Sequence, residues 1–96
     1  MILRERQTEQ GLMVAVCDDD VLGETFENGR VSLTVEESFY GGDEADEGEV
    51  VDSLSRANIA NIVGARAVEV AIEAGIIDGD HVLEVGETRH AQLVRI

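Results

Sequence analysis

Two clusters of aspartates are the first candidates for chemistry in this sequence. One is the run of three aspartates at 18–20, and the other is the Asp-Gly-Asp segment at 78–80. A calcium loop needs alternating oxygen ligands, a central glycine and a closing glutamate, and Leu22 stands where the next ligand should be. We interpret both clusters as acidic turns, the first one capping a short helix, and expect no metal site.

Cysteine and histidine supply few further candidates. The chain has one cysteine, Cys17, and two histidines, His81 and His90, whose spacing matches no zinc motif. The residue types for a Cys–His nucleophilic pair are present, but no hydrolase motif, P-loop or dinucleotide-binding glycine signature accompanies them. We therefore expect a buried Cys17, no cofactor and no enzymatic activity.

The segment Phe39-Tyr40-Gly41-Gly42 combines two of the three aromatic residues with two glycines. Alternating geometry would point one ring into the core and the other outward, and glycine lets the backbone approach a neighbour closely. One interpretation is a core ring beside a second ring that covers the helix pair. The other is a platform on which a base or a peptide stacks, with either Phe39 or Tyr40 as the exposed ring.

Two asparagines begin another unusual run. Asparagine is a poor interior helix residue, so Asn58 and Asn61 are expected at turn or N-cap positions. The functional interpretation places Asn61 and Arg66 at the edge of a groove beside Tyr40. Close packing of the helix around Gly64 against the sheet explains the same run without a ligand.

The last strand offers a polar pair. If Ala91 faces inward, His90 and Gln92 face outward together, because alternate residues of a strand share a face. Exposed polar residues of this kind are usually solvated surface. Together with the neighbouring Arg89 they could also read the edge of a ligand.

The charge balance points to the solvent. All seven basic residues are arginines, against 21 acidic residues, and the formal net charge is −14. Such a chain repels itself in dilute buffer, whereas molar salt shortens the Debye length to about 3 Å. We interpret the composition as that of an extreme halophile. Because screening also weakens long-range attraction, the net charge neither supports nor excludes an RNA partner.

Acidic and basic residues are unevenly distributed along the chain. Residues 36–55 contain eight acids and no base, whereas four arginines lie in the first and last segments: Arg4, Arg6, Arg89 and Arg95. If the terminal strands are adjacent, they form the least acidic surface. The middle loop then forms the most acidic one.

Compartment and size follow from simple features. The single cysteine fits a reducing cytosol, and the first residues lack the apolar segment of a secretory signal. No apolar run approaches the ~18 residues of a membrane span. We expect a cytoplasmic protein with one domain over residues 1–96.

Hydrophobic periodicity predicts five strands and two helices. The strands are expected over residues 2–6, 12–17, 30–35, 81–85 and 89–96, with Val31, Leu33 and Val35 on a buried face. Residues 21–27 are a short helical turn or an irregular crossing, and Asn28-Gly29 is a turn. One helix has Asp46 as its N-cap and runs through Arg56. The second spans residues 58–74 and ends at Gly75.

The order β-β-β-α-α-β-β places the helices together and the strands at both ends. This arrangement predicts an α+β domain in which a mostly antiparallel sheet is covered by a helix pair.

Several runs resemble the archaeal domain-of-unknown-function family 424. The similar runs, in chain order, are 14–18, 22–26, 37–41, 60–64 with 66–68, and 90–92, so they span nearly the whole chain. The resemblance implies a small archaeal α+β protein without assigned enzyme activity, linked to translation or ribosome-related RNA. The lysine-free surface departs from family members of ordinary basic content, which weakens the transfer of an RNA-binding surface built on lysines.

The leading hypothesis is a non-enzymatic binding module for RNA or a ribonucleoprotein. Tyr40 would stack on a base. The phosphates would be contacted by Arg4, Arg66 and Arg89, and hydrogen bonds would be made by Asn61, His90 and Gln92. Phe39, Gly41 and Asn58 complete the candidate binding residues. The alternative is a protein–protein adaptor that uses the aromatic–glycine loop or an exposed sheet edge.

Overall fold

The computed structural model describes residues 1–95, which form a six-stranded sheet, a separate two-stranded hairpin and three α-helices. The strands are β1 (Ile2–Thr8), β2 (Gly11–Cys17), β3 (Thr25–Asn28), β4 (Val31–Thr34), β5 (Asp43–Glu44), β6 (Ile59–Val63), β7 (Leu83–Val85) and β8 (Thr88–Val94). The helices are α1 (Glu37–Tyr40), α2 (Glu47–Arg56) and α3 (Ala65–Glu73), with 3-10 turns at Asp19–Val21 and Gly79–His81.

The large sheet has the strand order β5-β1-β2-β6-β8-β7. Each neighbouring pair is antiparallel except β2 and β6, which run parallel. Both α2 and α3 pack on one face of this sheet. The predicted α+β class, with a mostly antiparallel sheet covered by a helix pair, is confirmed.

The predicted helix over residues 58–74 is wrong in its first half. Ile59–Val63 is strand β6, and α3 begins only at Ala65. Ala60, Ile62 and Val63 are fully buried, because β6 lies inside the sheet with a layer on each face. A strand that is apolar on both faces lacks the period of two, so its sequence is easily mistaken for a buried helix. The predicted helix end is confirmed by Gly75, with φ 74°.

The predicted strand at 30–35 exists as β4, but it pairs only with β3, from the segment left ambiguous in the sequence. The turn at Asn28-Gly29 joins them, and Gly29 has φ 61°. Val31 is 44% exposed, so its expected burial is wrong. The hairpin stands above the sheet, and burial is complete only at Val35, past the end of β4.

Helix α2 matches its prediction closely. The Asp46 carboxylate accepts a hydrogen bond from the Glu49 N–H at 2.8 Å, and the Glu49 carboxylate accepts one from the Asp46 N–H at 3.1 Å. This capping box fixes the helix start, and Val50 and Leu54 are fully buried against the sheet. Within residues 1–95 no helix is long and apolar enough to cross a membrane.

The core has two parts, one on each face of the sheet. The first lies under α2 and α3 and includes Val14, Val16, Leu54, Ile62 and Val68. The second lies under the 3-10 turn, the β3–β4 hairpin and α1, and includes Cys17, Val21, Val35, Tyr40 and Val63. The molecule therefore has three layers, with the sheet between α2 and α3 on one face and a smaller cover on the other. We call this smaller cover, formed by the 3-10 turn at Asp19–Val21, the β3–β4 hairpin and α1, the second cover.

Candidate binding surface

The small second cover leaves part of its sheet face open. Strand register aligns Arg6, Met13, Ile59 and Val94 in one row across β1, β2, β6 and β8, and Arg4, Ala15, Asn61 and Gln92 in the next. We call these two rows the open face. Alternate residues of a strand share a face, so the rows lie about 6.6 Å apart. Val94 is 68% exposed and Gln92 is exposed, whereas Ala15 is buried where α1 approaches.

The open face carries no carboxylate, although the chain has 21 acidic residues. Its polar groups are two guanidinium groups and two amides, and the rest of it is apolar. Carboxylates elsewhere on this molecule would repel an anionic ligand. The two rows of the open face contain no carboxylate. The sequence indicated only that the terminal segments are less acidic.

Arginines of β1 border the open face and hold helix α1. The Arg6 guanidinium lies 4.9 Å from the Phe39 ring centroid, and its Nη2 donates to the Ser38 carbonyl at 2.6 Å. Arg4 Nη1 donates to the Ser38 and Gly41 carbonyls at 3.0 and 3.2 Å. A guanidinium has five N–H donors, so each arginine keeps donors beyond these contacts. The cation–π contact also fixes the half-buried Phe39 at the border.

Asn61 and Gln92 form a polar pair on neighbouring strands. Gln92 Nε2 donates to Asn61 Oδ1 at 2.9 Å, and the two residues are register partners. The pair keeps the Asn61 amide N–H groups and the Gln92 carbonyl oxygen for other partners. One donor and one acceptor side by side match the edge of a nucleobase or of a peptide group.

The expectation that Tyr40 presents its ring is corrected by its burial. Tyr40 is 5% exposed and lies in the second core with Cys17. Burial, and secondarily Cys17, raise the pKa of its hydroxyl to about 12. Phe39 contacts it edge-on, with ring centroids 5.0 Å apart, and is the more accessible ring. One ring is therefore in the core and Phe39 is the outer ring. Phe39 packs on the sheet face opposite α2 and α3, so the expectation that the second ring covers the helix pair is wrong.

The two glycines after Tyr40 serve chain packing. A Cβ at Gly41 would overlap the Glu37 carbonyl oxygen, and a Cβ at Gly42 would overlap the Leu3 carbonyl oxygen. The close approach expected of these glycines is thus made to the protein's own backbone.

Asn58 fastens two strands together and borders the open face. Its Oδ1 accepts a hydrogen bond from the Leu12 N–H at 2.9 Å. Gly11, with φ 106°, leaves the space that the Asn58 side chain fills. A 340 Å³ cavity lies beside it, lined by Gln10, Asn58, Ile59, Val94 and Arg95. Asn58 is at a bend before β6, as predicted, and its amide has a structural role. The same prediction is wrong for Asn61, which lies in the middle of β6.

Arg66 and Arg89 do not reach the open face. Arg89 alternates onto the helix side of β8, where its Nη1 lies 3.5 Å from Glu69 Oε2. Arg66 is at the start of α3 and lines a 390 Å³ cavity with Met1 and the three aspartates. The terminal strands are not adjacent, because β2 and β6 separate β1 from β8, so the condition for one weakly acidic surface formed by both is not met.

His90 belongs to a third, covered row. Register aligns Cys17, Val63 and His90 across β2, β6 and β8. Burial lowers the pKa of His90, which favours the uncharged imidazole and disfavours a charged contact with a phosphate. Val63 lies between Cys17 and His90, which places these two residues about 9.6 Å apart and prevents a Cys–His pair.

Cys17 is not an activated nucleophile. It is fully buried, and burial followed by the charges of Asp18 and Asp19 raises its thiol pKa to about 11. A nucleophilic cysteine needs the opposite shift, toward the thiolate. The expectation of a buried Cys17 is confirmed.

The aspartate run has structural partners. The Asp18 carboxylate accepts hydrogen bonds from the Arg66 and Ala67 N–H groups at 3.0 and 2.8 Å, so it caps α3. The α-amino group of Met1 lies 3.2 Å from Asp19 Oδ1 and 3.0 Å from Glu44 Oε1. The predicted capping role is correct in kind, but the capped helix lies far along the chain. Among residues 1–95 no three His, Cys, Asp or Glu side chains converge on a metal position.

Sequence reasoning missed Arg6, Met13 and Ile59 as members of the surface. Met13 belongs to a strand that is apolar throughout, and only register shows that it lies past the edge of the second cover. Ile59 was assigned to a helix. Recognising β6 as a strand would have put Ile59 and Asn61 on one face, since they are two residues apart.

Comparisons with known proteins concern the fold and the family. The family model described as Protein of unknown function (DUF424) matches residues 5–96. Among solved structures, an uncharacterized conserved protein from Methanopyrus kandleri matches with a TM-score of 0.78 and 24% sequence identity. The match covers 96% of this chain and 88% of that chain, and at this identity it concerns the fold alone. No curated protein matches.

Proposed function

The chain belongs to this family of unknown function, and from that premise we propose that it is a non-enzymatic binding module whose open face docks single-stranded RNA. The observation that carries the proposal is a four-stranded face without carboxylates on a chain of net charge −14. RNA phosphates are repelled by carboxylates, so the surface that excludes them is the one on which an RNA strand can lie.

The chemistry of the open face suits unpaired bases. Phe39 offers part of a ring face, and Met13 and Ile59 offer apolar surface for a base to cover. The Asn61–Gln92 pair can hydrogen-bond to base edges, and the spare N–H groups of Arg4 and Arg6 can meet phosphates. Single-stranded RNA exposes base faces and pairing edges, whereas duplex RNA stacks the faces, pairs those edges and has a deep, narrow major groove that side chains cannot read.

The direct test measures binding of a fluorescent single-stranded RNA of about 12 nucleotides, within the usual site size of such modules. Loss of one stacking contact costs about 1–3 kcal/mol, so we expect Phe39→Ala to weaken binding roughly tenfold or more. Gln92→Ala should weaken it less. Measurements at several potassium chloride concentrations separate stacking from phosphate contacts, because only the latter depend steeply on salt.

Arg66→Gln and Arg89→Gln are the matched controls. Both remove a positive charge from a surface outside the open face, so both should leave RNA affinity unchanged. Equal losses in the control and open-face variants would show that binding does not depend on the open face and would reject this surface. Absence of binding by the wild-type protein in any salt would reject RNA as the ligand.

A protein partner on the same face is the second candidate. Val94 is 68% exposed and Leu83 is 48% exposed, and both lie on the sheet side that includes the open face. The edge strands β5 and β7 have two and three residues, which makes strand addition at an edge a poor mode. Affinity capture from native lysate that keeps its partner after nuclease treatment would favour this candidate.

We also propose that the acidic surface is an adaptation to molar salt in the cytoplasm of a halophilic archaeon. Most carboxylates are exposed and have no counter-charge nearby, so their repulsion requires screening. The short range of screened charges then explains why RNA affinity depends on an acid-free contact surface and not on net charge.

A further inference from the structure

A cavity of 280 Å³ lies on the same side of the sheet as the open face, but at the other, covered end of the strands. Its lining includes Asp18, Asp20, Glu24, Phe26, Glu87 and Thr88. It opens between the 3-10 turn, the β3–β4 hairpin and the β7–β8 turn. Because Thr88 begins β8 and Val94 ends it, the two surfaces are at opposite ends of the same strand. We call this space the Thr88 cavity.

Three carboxylates of the Thr88 cavity lack counter-charges. Asp18 is occupied, because it caps α3. In the described chain, residues 1–95, the side chains of Asp20, Glu24 and Glu87 make no ion pair or hydrogen bond, and all three are exposed. They surround the opening with negative charge and leave it without a cation.

Thr88 gives an independent indication of a ligand. It is 3% exposed, and its Oγ1 is the one buried side-chain polar atom of residues 1–95 that has no hydrogen-bond partner. Its side chain is on the same face of β8 as His90 and Gln92, which is the face toward the cavity. A buried hydroxyl without a partner is destabilising, so native proteins usually provide one.

The arrangement of these acceptors favours a guanidinium over a metal ion or an ammonium. Within residues 1–95 no carboxylates converge as metal ligands, so the negative charge is spread around the opening and not focused on one point. A planar guanidinium can reach several acceptors at once, because its five N–H donors point in fixed directions, whereas an ammonium is a compact point charge. The Phe26 ring on the wall offers a surface on which a guanidinium stacks.

We propose that the Thr88 cavity binds an arginine side chain of a protein partner. The guanidinium donates to the carboxylates of Glu24 and Glu87 at the opening, and to Thr88 Oγ1 after rotation of the Thr88 side chain brings this buried atom to the cavity wall. This site is independent of the open face, so an RNA strand and a basic protein segment can be bound at the same time.

The first test titrates isotope-labelled protein with acetyl-arginine-amide and follows backbone amide signals by NMR, in salt at which the protein is folded. We expect saturable shifts at Phe26, Glu87 and Thr88, with the lysine analogue binding several-fold more weakly. The citrulline analogue keeps the shape of arginine but has no charge, and it should not bind. Equal shifts with citrulline, or shifts spread over all acidic surfaces, would overturn the proposal.

Variants then assign the contacts. Thr88→Val should weaken arginine binding about tenfold and Thr88→Ser should retain it. Glu24→Gln with Glu87→Gln should weaken it further, whereas Glu47→Gln with Glu73→Gln, which removes the same charge from the helices, should not. An unchanged affinity in Thr88→Val would show that the hydroxyl does not contact the guanidinium, and it would refute the site. If Thr88→Val does not fold, the arginine affinities of Thr88→Ser and of the Glu24→Gln, Glu87→Gln variant test the site.

The outcome is separable from that of the RNA proposal. Arginine binding should persist in Phe39→Ala, and RNA binding should persist in the Glu24→Gln, Glu87→Gln variant. Loss of both activities in either variant would contradict the independence of the two sites.

Discussion

The Asp18 carboxylate occupies the space in which a Cβ of Gly64 would lie. Gly64 has φ 117° and immediately precedes α3, and Asp18 crosses it to reach the helix N–H groups of Arg66 and Ala67. One contact thus joins the end of β2, the end of β6 and the start of α3. The missing side chain at Gly64 is what allows the cap, because both positive φ and the close approach exclude other residues.

Gly64→Ala should lower the free energy of unfolding by about 2 kcal/mol or more, from backbone strain and displacement of the Asp18 cap. Denaturant midpoints in molar potassium chloride measure this loss. Gly75→Ala is the matched control, since Gly75 also has positive φ but nothing lies within 4 Å of its added Cβ. Gly75→Ala should lower the free energy of unfolding by less than Gly64→Ala does.

A double-variant cycle tests the mechanism. Asp18→Ala alone should cost about 1 kcal/mol as a lost cap. With the carboxylate gone, Gly64→Ala should cost only its backbone strain, so the two losses should not add. Strict additivity would show that the two residues do not compete for the same space.

Asn58 should prove structural when its hydrogen bond is tested. Asn58→Asp keeps the oxygen that accepts from Leu12, whereas Asn58→Leu leaves that N–H without a partner at about 1–3 kcal/mol. Thermal unfolding should therefore separate the two variants, with leucine the less stable. RNA affinity should be retained in the folded Asn58→Leu variant, whereas Asn58→Asp adds a carboxylate beside the open face and should weaken binding. A loss of affinity in the leucine variant would return Asn58 to the binding residues.

Local signals in the sequence were sufficient for much of the fold. Asp46 three residues before Glu49 gives the start of α2, and Asn28-Gly29 gives the β3–β4 turn. Each signal acts through hydrogen bonds or backbone angles within a few residues, so no long-range contact is needed to recognise it. The same locality explains why Gly75 correctly marks the end of α3.

The candidate site depended on pairing between distant segments, which no local signal encodes. Asn61 and Gln92 were both proposed as binding residues, and the β6–β8 register brings them together at 2.9 Å. Arg89 was proposed with Gln92, but the two are three positions apart on β8, and an odd separation places them on opposite faces. Tyr40 was expected to stack, yet the turn of α1 buries it and leaves Phe39 outside.

A pH dependence in the acid range should trace to Glu5. Hydrogen bonds from Ser53 at 2.6 Å and from Arg56 at 2.7 Å lower the pKa of this carboxyl in the folded protein. Its stabilising contribution is therefore complete above the unfolded pKa, about 4.3, and is lost as the pH falls through the lower folded value. Unfolding free energies should decline over that window.

Glu5→Gln keeps an acceptor for Ser53 but cannot titrate, so its stability should decline less steeply with acid than that of the wild-type protein. Ser53→Ala removes the larger cause of the pKa shift and should give an intermediate slope. Molar potassium chloride suppresses the general repulsion among other charges. Parallel curves of unfolding free energy against pH for all three proteins would show that the hydrogen bonds to Glu5 make no pH-dependent contribution to stability.

Salt should be required for folding itself. At low ionic strength the unscreened charge of −14 favours expansion, so denaturant midpoints should rise steeply with potassium chloride up to the molar range. Glu73→Gln with Glu84→Gln removes two exposed charges that have no partner among residues 1–95, and it should lower the salt needed for half-folding. Sucrose, which favours compact states without screening charge, should not substitute for salt in this comparison. A wild-type protein that stays fully folded and monomeric near zero salt, and binds a divalent ion there, would show that the carboxylates serve a ligand and not the solvent.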